Sequence, residues 1–320
     1  MAAPSPDIPP PDAPLVTTSG DIRTLDAPLV VASGDIRTLH APLVTTSGDI
    51  RTLHAPLVTT SGDIRTLAFR PGEVQSEMRL SRPDRLMLAY VRAMMLFAWL
   101  APHPRHILMV GLGGGSLAKF CHRHFPASRI TVVELRADVI ALREQFCVPP
   151  DDARFKVVQA DACAYIAAMP ANAERVDVLV VDGFDAAGLP PALVSSRFYA
   201  DCWRALADDG VLVANVFSYD PQYRAMLGRL GLVFGARVAR VAGVAGNNRI
   251  VFAVRASLAR QQEGAAPPGL AAARLGALAR LAGGRRWWGR SLCNRMLVRL
   301  VLLWLIGRSA RAAPPRRQAM

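Results

Sequence analysis

The chain has 320 residues, 52% of them hydrophobic, and 38 Lys or Arg against 25 Asp or Glu for a net charge of +13. That length and apolar fraction support one large core or two small ones, while five cysteines, odd in number and with no Cys-x-x-Cys pair, speak against a disulfide framework or a zinc site. The charge does not mark a nucleic-acid domain: twelve arginines against one glutamate after residue 256 give the tail a balance of +11, leaving +2 for everything before it.

Met1-Ala-Ala-Pro-Ser-Pro lacks the basic start and apolar stretch of a secretory signal, so the expected location is the cytoplasm. Residues 13–67 hold four near-identical copies of Ala-Pro-Leu-Val-Thr-Thr-Ser-Gly-Asp-Ile-Arg-Thr-Leu, starting at Ala13, Ala27, Ala41 and Ala55 with a period of 14. Solenoid units are longer, about 20–50 residues, and bury more apolar surface each. The last copy is therefore expected to be structural, and 1–54 a flexible or loosely paired extension. Two β-prone runs, Asp63–Phe69 and Val74–Leu80, flank Arg70-Pro-Gly-Glu73 and predict a small β-hairpin within 55–84. Ser81-Arg-Pro-Asp84 reads as a helix start, and Arg85–Leu100 as one long apolar helix carrying Tyr90.

The central domain, 85–256, alternates strand and helix. Ile107-Leu-Met-Val110 reads as a strand buried on both faces. It enters Gly111-Leu-Gly-Gly-Gly-Ser116, and a helix over Leu117–His124 follows. Further strands are expected at Ile130–Glu134, Phe155–Asp161, Val176–Asp182 and Val211–Phe217, with helices at Asp138–Gln145, Ala162–Met169, Ser195–Ala207 and Tyr223–Leu230. A final hairpin, Arg237–Val241 and Ile250–Val254, closes the set around Gly246-Asn-Asn248. This order predicts an α/β fold of the methyltransferase type, a doubly wound, mostly parallel seven-stranded sheet. In the tail, 257–320, a helix is expected at Leu270–Leu281. The apolar segment Met296–Ile306 has eleven residues and includes Arg299, against the roughly 20 apolar residues that a spanning helix needs. With Trp287, Trp288 and Trp304 beside arginines, 285–307 suits either contact with a membrane surface, peripheral at the inner face, or packing on protein; nucleic acid is less favoured.

A strand, a glycine turn and a helix form the first unit of a nucleotide-binding sheet, with the backbone of Gly111, Gly113 and Gly115 free to approach a ligand. Glu134, nineteen residues past Gly115 at the end of the second strand, is placed to accept the ribose hydroxyls of a nucleoside. Asp161 with Ala162 can reach an adenine. Asp182 and Asp185, in Asp182-Gly-Phe-Asp185, end the fourth strand beside the glycine turn. Carboxylates at successive strand ends suit a sulfonium nucleoside; Asp185 reads equally well as a turn or helix cap. No cluster of metal ligands is evident, so no metal is expected.

Over roughly residues 60–255 the sequence resembles the spermidine synthase family of polyamine aminopropyltransferases. The resemblance rests on Glu73-Val-Gln75, Tyr90, Gly111-Leu-Gly-Gly-Gly115, Glu134, Asp161-Ala162, and Asp182-Gly-Phe-Asp185 with Gly188-Leu-Pro190. It implies transfer of an aminopropyl group from decarboxylated S-adenosylmethionine to a small-molecule amine such as putrescine. By resemblance Asp182 is the base, Asp185 holds the acceptor, Glu134 and Asp161 bind ribose and adenine, and Gln75 and Tyr90 line the pocket. The family also implies a homodimer or tetramer. Three positions depart from its pattern: Gly114 and Arg92 stand where an acidic residue is usual, and Arg136 stands where an Asp often follows the ribose-binding Glu. An aspartate at 114 would repel the carboxylate of intact S-adenosylmethionine. Its absence keeps two alternatives open: a methyltransferase using S-adenosylmethionine on a small or membrane-associated acceptor, and a non-catalytic nucleoside-binding scaffold.

Overall fold

A computed structural model describes residues 30–32, 55–169, 175–183, 189–256, 269–282 and 287–312. The first strands are β1 (Val30–Ala32), β2 (Leu57–Ser61), β3 (Ile64–Ala68) and β4 (Val74–Arg79). Helices α1 (Ala89–Met94) and α2 (Phe97–Leu100) follow. The alternating part contains β5 (His106–Val110), α3 (Ser116–His124), β6 (Arg129–Glu134), α4 (Ala137–Ala141), β7 (Phe155–Gln159), α5 (Ala162–Ala167) and β8 (Val176–Val181). After a single 3-10 turn at Pro191–Val194 come α6 (Ser196–Ala205), β9 (Leu206–Phe217), α7 (Tyr223–Phe234), β10 (Val238–Val241) and β11 (Asn248–Val254). The chain closes with α8 (Leu270–Ala282) and α9 (Trp287–Ala312).

The main sheet has seven strands in the order β10-β11-β9-β8-β5-β6-β7, parallel except for β11 and β10. The expected methyltransferase-type sheet is the one observed. The continuous apolar runs of its strands follow from burial on both faces. Ile107 and Met109 of β5 point into one core with Phe97, Phe120 and Ala271, while Leu108 and Val110 point into the other with Phe198, Tyr199 and Val194. The chain lays down β5, β6 and β7 outward in one direction, then returns to place β8 on the other side of β5. Between the carboxyl ends of β5 and β8 the sheet therefore has its switch point, where the diverging connections open a crevice.

The expected N-terminal hairpin is one half of a larger unit. Strands β2, β3 and β4 form an antiparallel meander, and β1 adds to β2 in parallel, with Val30 opposite Val58. The last repeat copy thus supplies two strands, β2 and β3. Apart from β1, the extension 1–54 lies outside the described residues.

The long helix expected over Arg85–Leu100 is broken in two. Asp63 takes Ser81 out of any capping role, accepting from both its backbone N–H (2.8 Å) and its hydroxyl (2.6 Å). Residues Ala93 to Ala98 are all fully buried, so this stretch has no solvent face around which a single amphipathic helix could be oriented. Its backbone tightens between the two helices, with Leu96 N–H donating to Ala93 O and Ala98 N–H to Met95 O. In the tail, α8 lies on the sheet and buries Ala271, Leu275 and Leu278 in the main core, where Val298, Val301 and Leu305 of α9 join them. No helix among the described residues is long and apolar enough to cross a membrane.

Candidate active site

The crevice at the switch point is built from three backbone segments and one buried polar chain. The glycine turn leaves β5 so closely against the end of β8 that a Cβ at Gly111 would lie 2.5 Å from the carbonyl oxygen of Asp182, and Gly111 has φ +94°. Only glycine meets both conditions. Gly115, also at positive φ (+64°), is the N-cap of α3, so the helix begins directly from the glycine turn. Glu134 ends β6 and is 9% exposed. One carboxylate oxygen accepts from Leu112 N–H in the glycine turn (2.8 Å) and the other from Arg136 N–H (2.9 Å). The residue thus ties the turn to the end of its own strand, with its carboxylate facing the site.

Asp182 follows β8 directly and is half-buried. Its Oδ1 accepts from Asn215 Nδ2 (2.9 Å), and the Tyr90 hydroxyl donates to the same carboxyl group. Asn215, 2% exposed near the carboxyl end of β9, is in turn oriented by Asn248 of β11, whose Nδ2 donates to Asn215 Oδ1 (2.9 Å). This chain fixes which way the Asn215 amide faces, because its oxygen is already used and only its NH2 can meet the carboxylate. Burial raises the pKa of Asp182 above the usual carboxylate value, and the hydrogen bonds from Asn215 and Tyr90 oppose that rise. Burial and the neighbouring Asp182 charge push the Tyr90 phenol well above its ordinary value, so it remains a donor. Such a carboxylate, partly desolvated yet held in one orientation by two donors, is equipped to accept a proton from a substrate.

The structure brings together Gly111, Gly113, Gly115, Glu134, Tyr90 and Asp182. Asp161 is exposed and caps α5, its Oδ1 accepting from Ala164 N–H (2.8 Å), with Ala162 beginning the helix beside it. The end of β7 is joined to Glu134 through Ala160 N–H and Glu134 O (3.0 Å). Gln75 is half-buried on β4, but strand alternation turns it away from the face carrying Ser76, the residue that touches the glycine turn. Asp185 and Gly188 lie outside the described residues. Asn215 and Asn248 escaped the sequence analysis. The signal was an asparagine inside the apolar run Val211–Phe217, since a polar side chain buried in a central strand requires a partner.

The spermine/spermidine synthase domain matches residues 87–225. The polyamine aminopropyltransferase of Neisseria meningitidis serogroup A is 39% identical over 188 residues, covering 58% of this chain and 70% of that protein. The chain belongs to the spermine/spermidine synthase family. The polyamine aminopropyltransferase of Chromobacterium violaceum is 38% identical over 185 residues, 58% of this chain and 70% of its own length. Among solved structures, a probable spermidine synthase from Corynebacterium glutamicum superposes with a TM-score of 0.55 at 25% identity, covering 62% of this chain and 76% of that one. The family is one of transferases.

Each departure from the family pattern has a local physical account. A Cβ at Gly114 would lie 2.5 Å from Ser76 Oγ and 2.9 Å from Phe146 Cδ1, so β4 and the segment after α4 fill the space an acidic side chain there would need. Arg92 turns away from solvent and donates from Nη1 to the carbonyls of Leu86 (2.9 Å) and Met87 (2.7 Å). Arg136, 8% exposed, forms a two-pronged pair with Asp138 at 2.9 and 2.6 Å and lies over the Phe69 ring at 4.5 Å. Both guanidinium groups are engaged by their surroundings. Lys119 on α3 is 4% exposed and donates to Phe146 O (2.6 Å) and Met78 Sδ (3.1 Å), with burial lowering its pKa to about 8.

Proposed function

We propose that this site transfers an aminopropyl group from decarboxylated S-adenosylmethionine to the amine of a diamine such as putrescine. The observation that carries the reading is Asp182, held at the switch point between the Tyr90 hydroxyl and the Asn215 amide, one peptide plane from the glycine turn. A nucleoside fits the remaining features: Gly111 leaves its backbone bare, and the Glu134 carboxylate lies at the adjacent strand end for the ribose. Asp161 and Ala162 are assigned the adenine, Tyr90 the pocket wall, and Asp185 the acceptor's distal ammonium, while Gln75, on the other face of β4 from Ser76, is left out of the pocket. We assign the protein to the cytoplasm, with a homodimer as its working unit.

An alkylammonium of pKa about 10.4 must lose its proton before it can attack. Asp182 accepts that proton. The freed nitrogen lone pair then attacks the methylene carbon bonded to the sulfonium, forming the C–N bond while the C–S bond breaks. Sulfur keeps the electron pair and leaves as the neutral thioether, methylthioadenosine. The anionic field of Glu134 and of Asp182 before it takes the proton favours the sulfonium on arrival, and Glu134 keeps its charge beside the ammonium product until release.

The test is to incubate the purified chain with putrescine and either decarboxylated or intact S-adenosylmethionine. Spermidine and methylthioadenosine are expected in equal amounts from the decarboxylated donor alone. Methyl transfer from intact S-adenosylmethionine, or inactivity with both donors despite tight methylthioadenosine binding, would overturn the assignment.

A further inference from the structure

Helix α9 is apolar on both sides, and the fold accounts for only one of them. Its inner face is seated on the domain: Val298, Val301 and Leu305 are buried, Asn294 Nδ2 donates to Ala242 O (2.8 Å), and Ser309 Oγ meets His124 Nδ1 (2.6 Å). On the opposite side, Leu292, Met296, Leu300 and Leu303 are 62%, 53%, 61% and 67% exposed. At about 100° per residue these four fall within one sector roughly 80° wide. Exposed Arg295, Arg299 and Ile306 border that stripe on one flank, and Trp304 and Arg311 on the other. Among the described residues nothing packs on the stripe.

We propose that this outer face of α9 lies on an anionic phospholipid surface, with the helix axis in the plane of the membrane. The charge pattern selects the occupant. After Glu263 the sequence has no acidic residue, so a second copy docked face to face would bring Arg295 and Arg299 of both helices together with no carboxylate to neutralise them. A nucleic acid would satisfy the arginines and leave the four apolar side chains in water. A lipid surface satisfies both at once, taking Leu292, Met296, Leu300 and Leu303 at the acyl boundary and the flanking guanidinium groups at the phosphates. Trp304, beside Arg308 at 4.9 Å, falls at the depth where aromatic rings collect. With no helix among the described residues long and apolar enough to span, the contact is peripheral.

The proposal is independent of the transferase assignment, and flotation of the full chain tests it with vesicles of phosphatidylcholine alone or with about 30% phosphatidylglycerol. The expected result is at least tenfold tighter binding to the anionic vesicles, weakening with added salt, and a blue shift of tryptophan emission. Leu300→Ser/Leu303→Ser should lower binding about tenfold or more, with the melting temperature unchanged because both side chains are exposed. Arg295→Gln/Arg299→Gln should lower it roughly fivefold per arginine. Equal binding to both vesicle types, or binding unaffected by the leucine pair, overturns the proposal. So does a wild-type chain that ignores vesicles but forms a dimer abolished by Leu300→Ser/Leu303→Ser, or one that prefers duplex DNA to anionic lipid.

Discussion

Replacing Asn215 by Ala tests the reasoning about the catalytic carboxylate most directly. The substitution deletes the donor 2.9 Å from Asp182 Oδ1 and leaves Asn248 without its acceptor, but touches neither Tyr90 nor the glycine turn. A hydrogen bond to a charged group is worth about 1.5–3 kcal/mol. Asn215 is one of the groups that hold the Asp182 pKa down against burial, so removing it lets that pKa rise further. The base is then protonated at pH values where the wild type is already ionised. In kcat/KM for aminopropyl transfer the loss should be roughly 10- to 100-fold on the acid side of the profile and shrink as pH rises. The acid limb moves towards higher pH, while the melting temperature falls only modestly. A loss of equal size at every pH would refute the argument, because it would mean that Asn215 shapes the site without tuning the carboxylate.

Asp182→Asn should reduce turnover by at least about 100-fold while the chain still binds methylthioadenosine, measured by calorimetry, since the base is lost and the nucleoside contacts are kept. Gly114→Asp should destabilise the fold by about 1–3 kcal/mol in urea titration, because Ser76 and Phe146 occupy the space its Cβ needs, and Ser76→Gly in the same chain should recover part of that loss. For Lys119, burial lowers the pKa from 10.5 to about 8, so below pH 8 the folded chain carries a buried charge at full cost. Between those values the folded chain releases its proton while the unfolded chain keeps it, and stability gains up to about 3 kcal/mol from this group as pH rises. Lys119→Met should therefore be stabilised relative to wild type at pH 7 and lose much of that advantage by pH 10; a difference that stays constant with pH would contradict the burial argument.

Features that depend on local pattern were legible in the sequence. The glycine turn, Glu134 and Asp182 announce themselves because each sits at the end of a strand marked by an apolar run, and the alternation of those runs with helices marks a mostly parallel sheet. What escaped was set by tertiary contact. The late start of the helix at Ala89 follows from Asp63 capturing Ser81, and its division after Met94 from complete burial of the segment from Ala93 to Ala98. Asn215 and Asn248 stand thirty-three residues apart and mean little until β9 and β11 pair. The sequence also posed membrane contact and protein packing as competing roles for the tail, whereas α9 packs one face on the domain and leaves a separate exposed apolar face for the proposed lipid contact. The acidity apparently lost at Arg92 and Arg136 could be judged only once Asp138 and the Leu86 and Met87 carbonyls were found beside those guanidinium groups.

Glu134 carries an arithmetic of lone pairs. A carboxylate offers about four acceptor positions, two on each oxygen. Among the described residues, the Leu112 and Arg136 amides fill one on each. One vacancy remains on each oxygen, the same number as the hydroxyls of a vicinal diol. A 2′-deoxy sugar would fill only one of them and strand the other away from water. Glutamine could not take the place of the glutamate, since its NH2 would confront one of the two amides, donor against donor. The residue proposed to hold the sugar is therefore also the clasp of the glycine turn, so in that assignment binding and folding act on it as a single constraint.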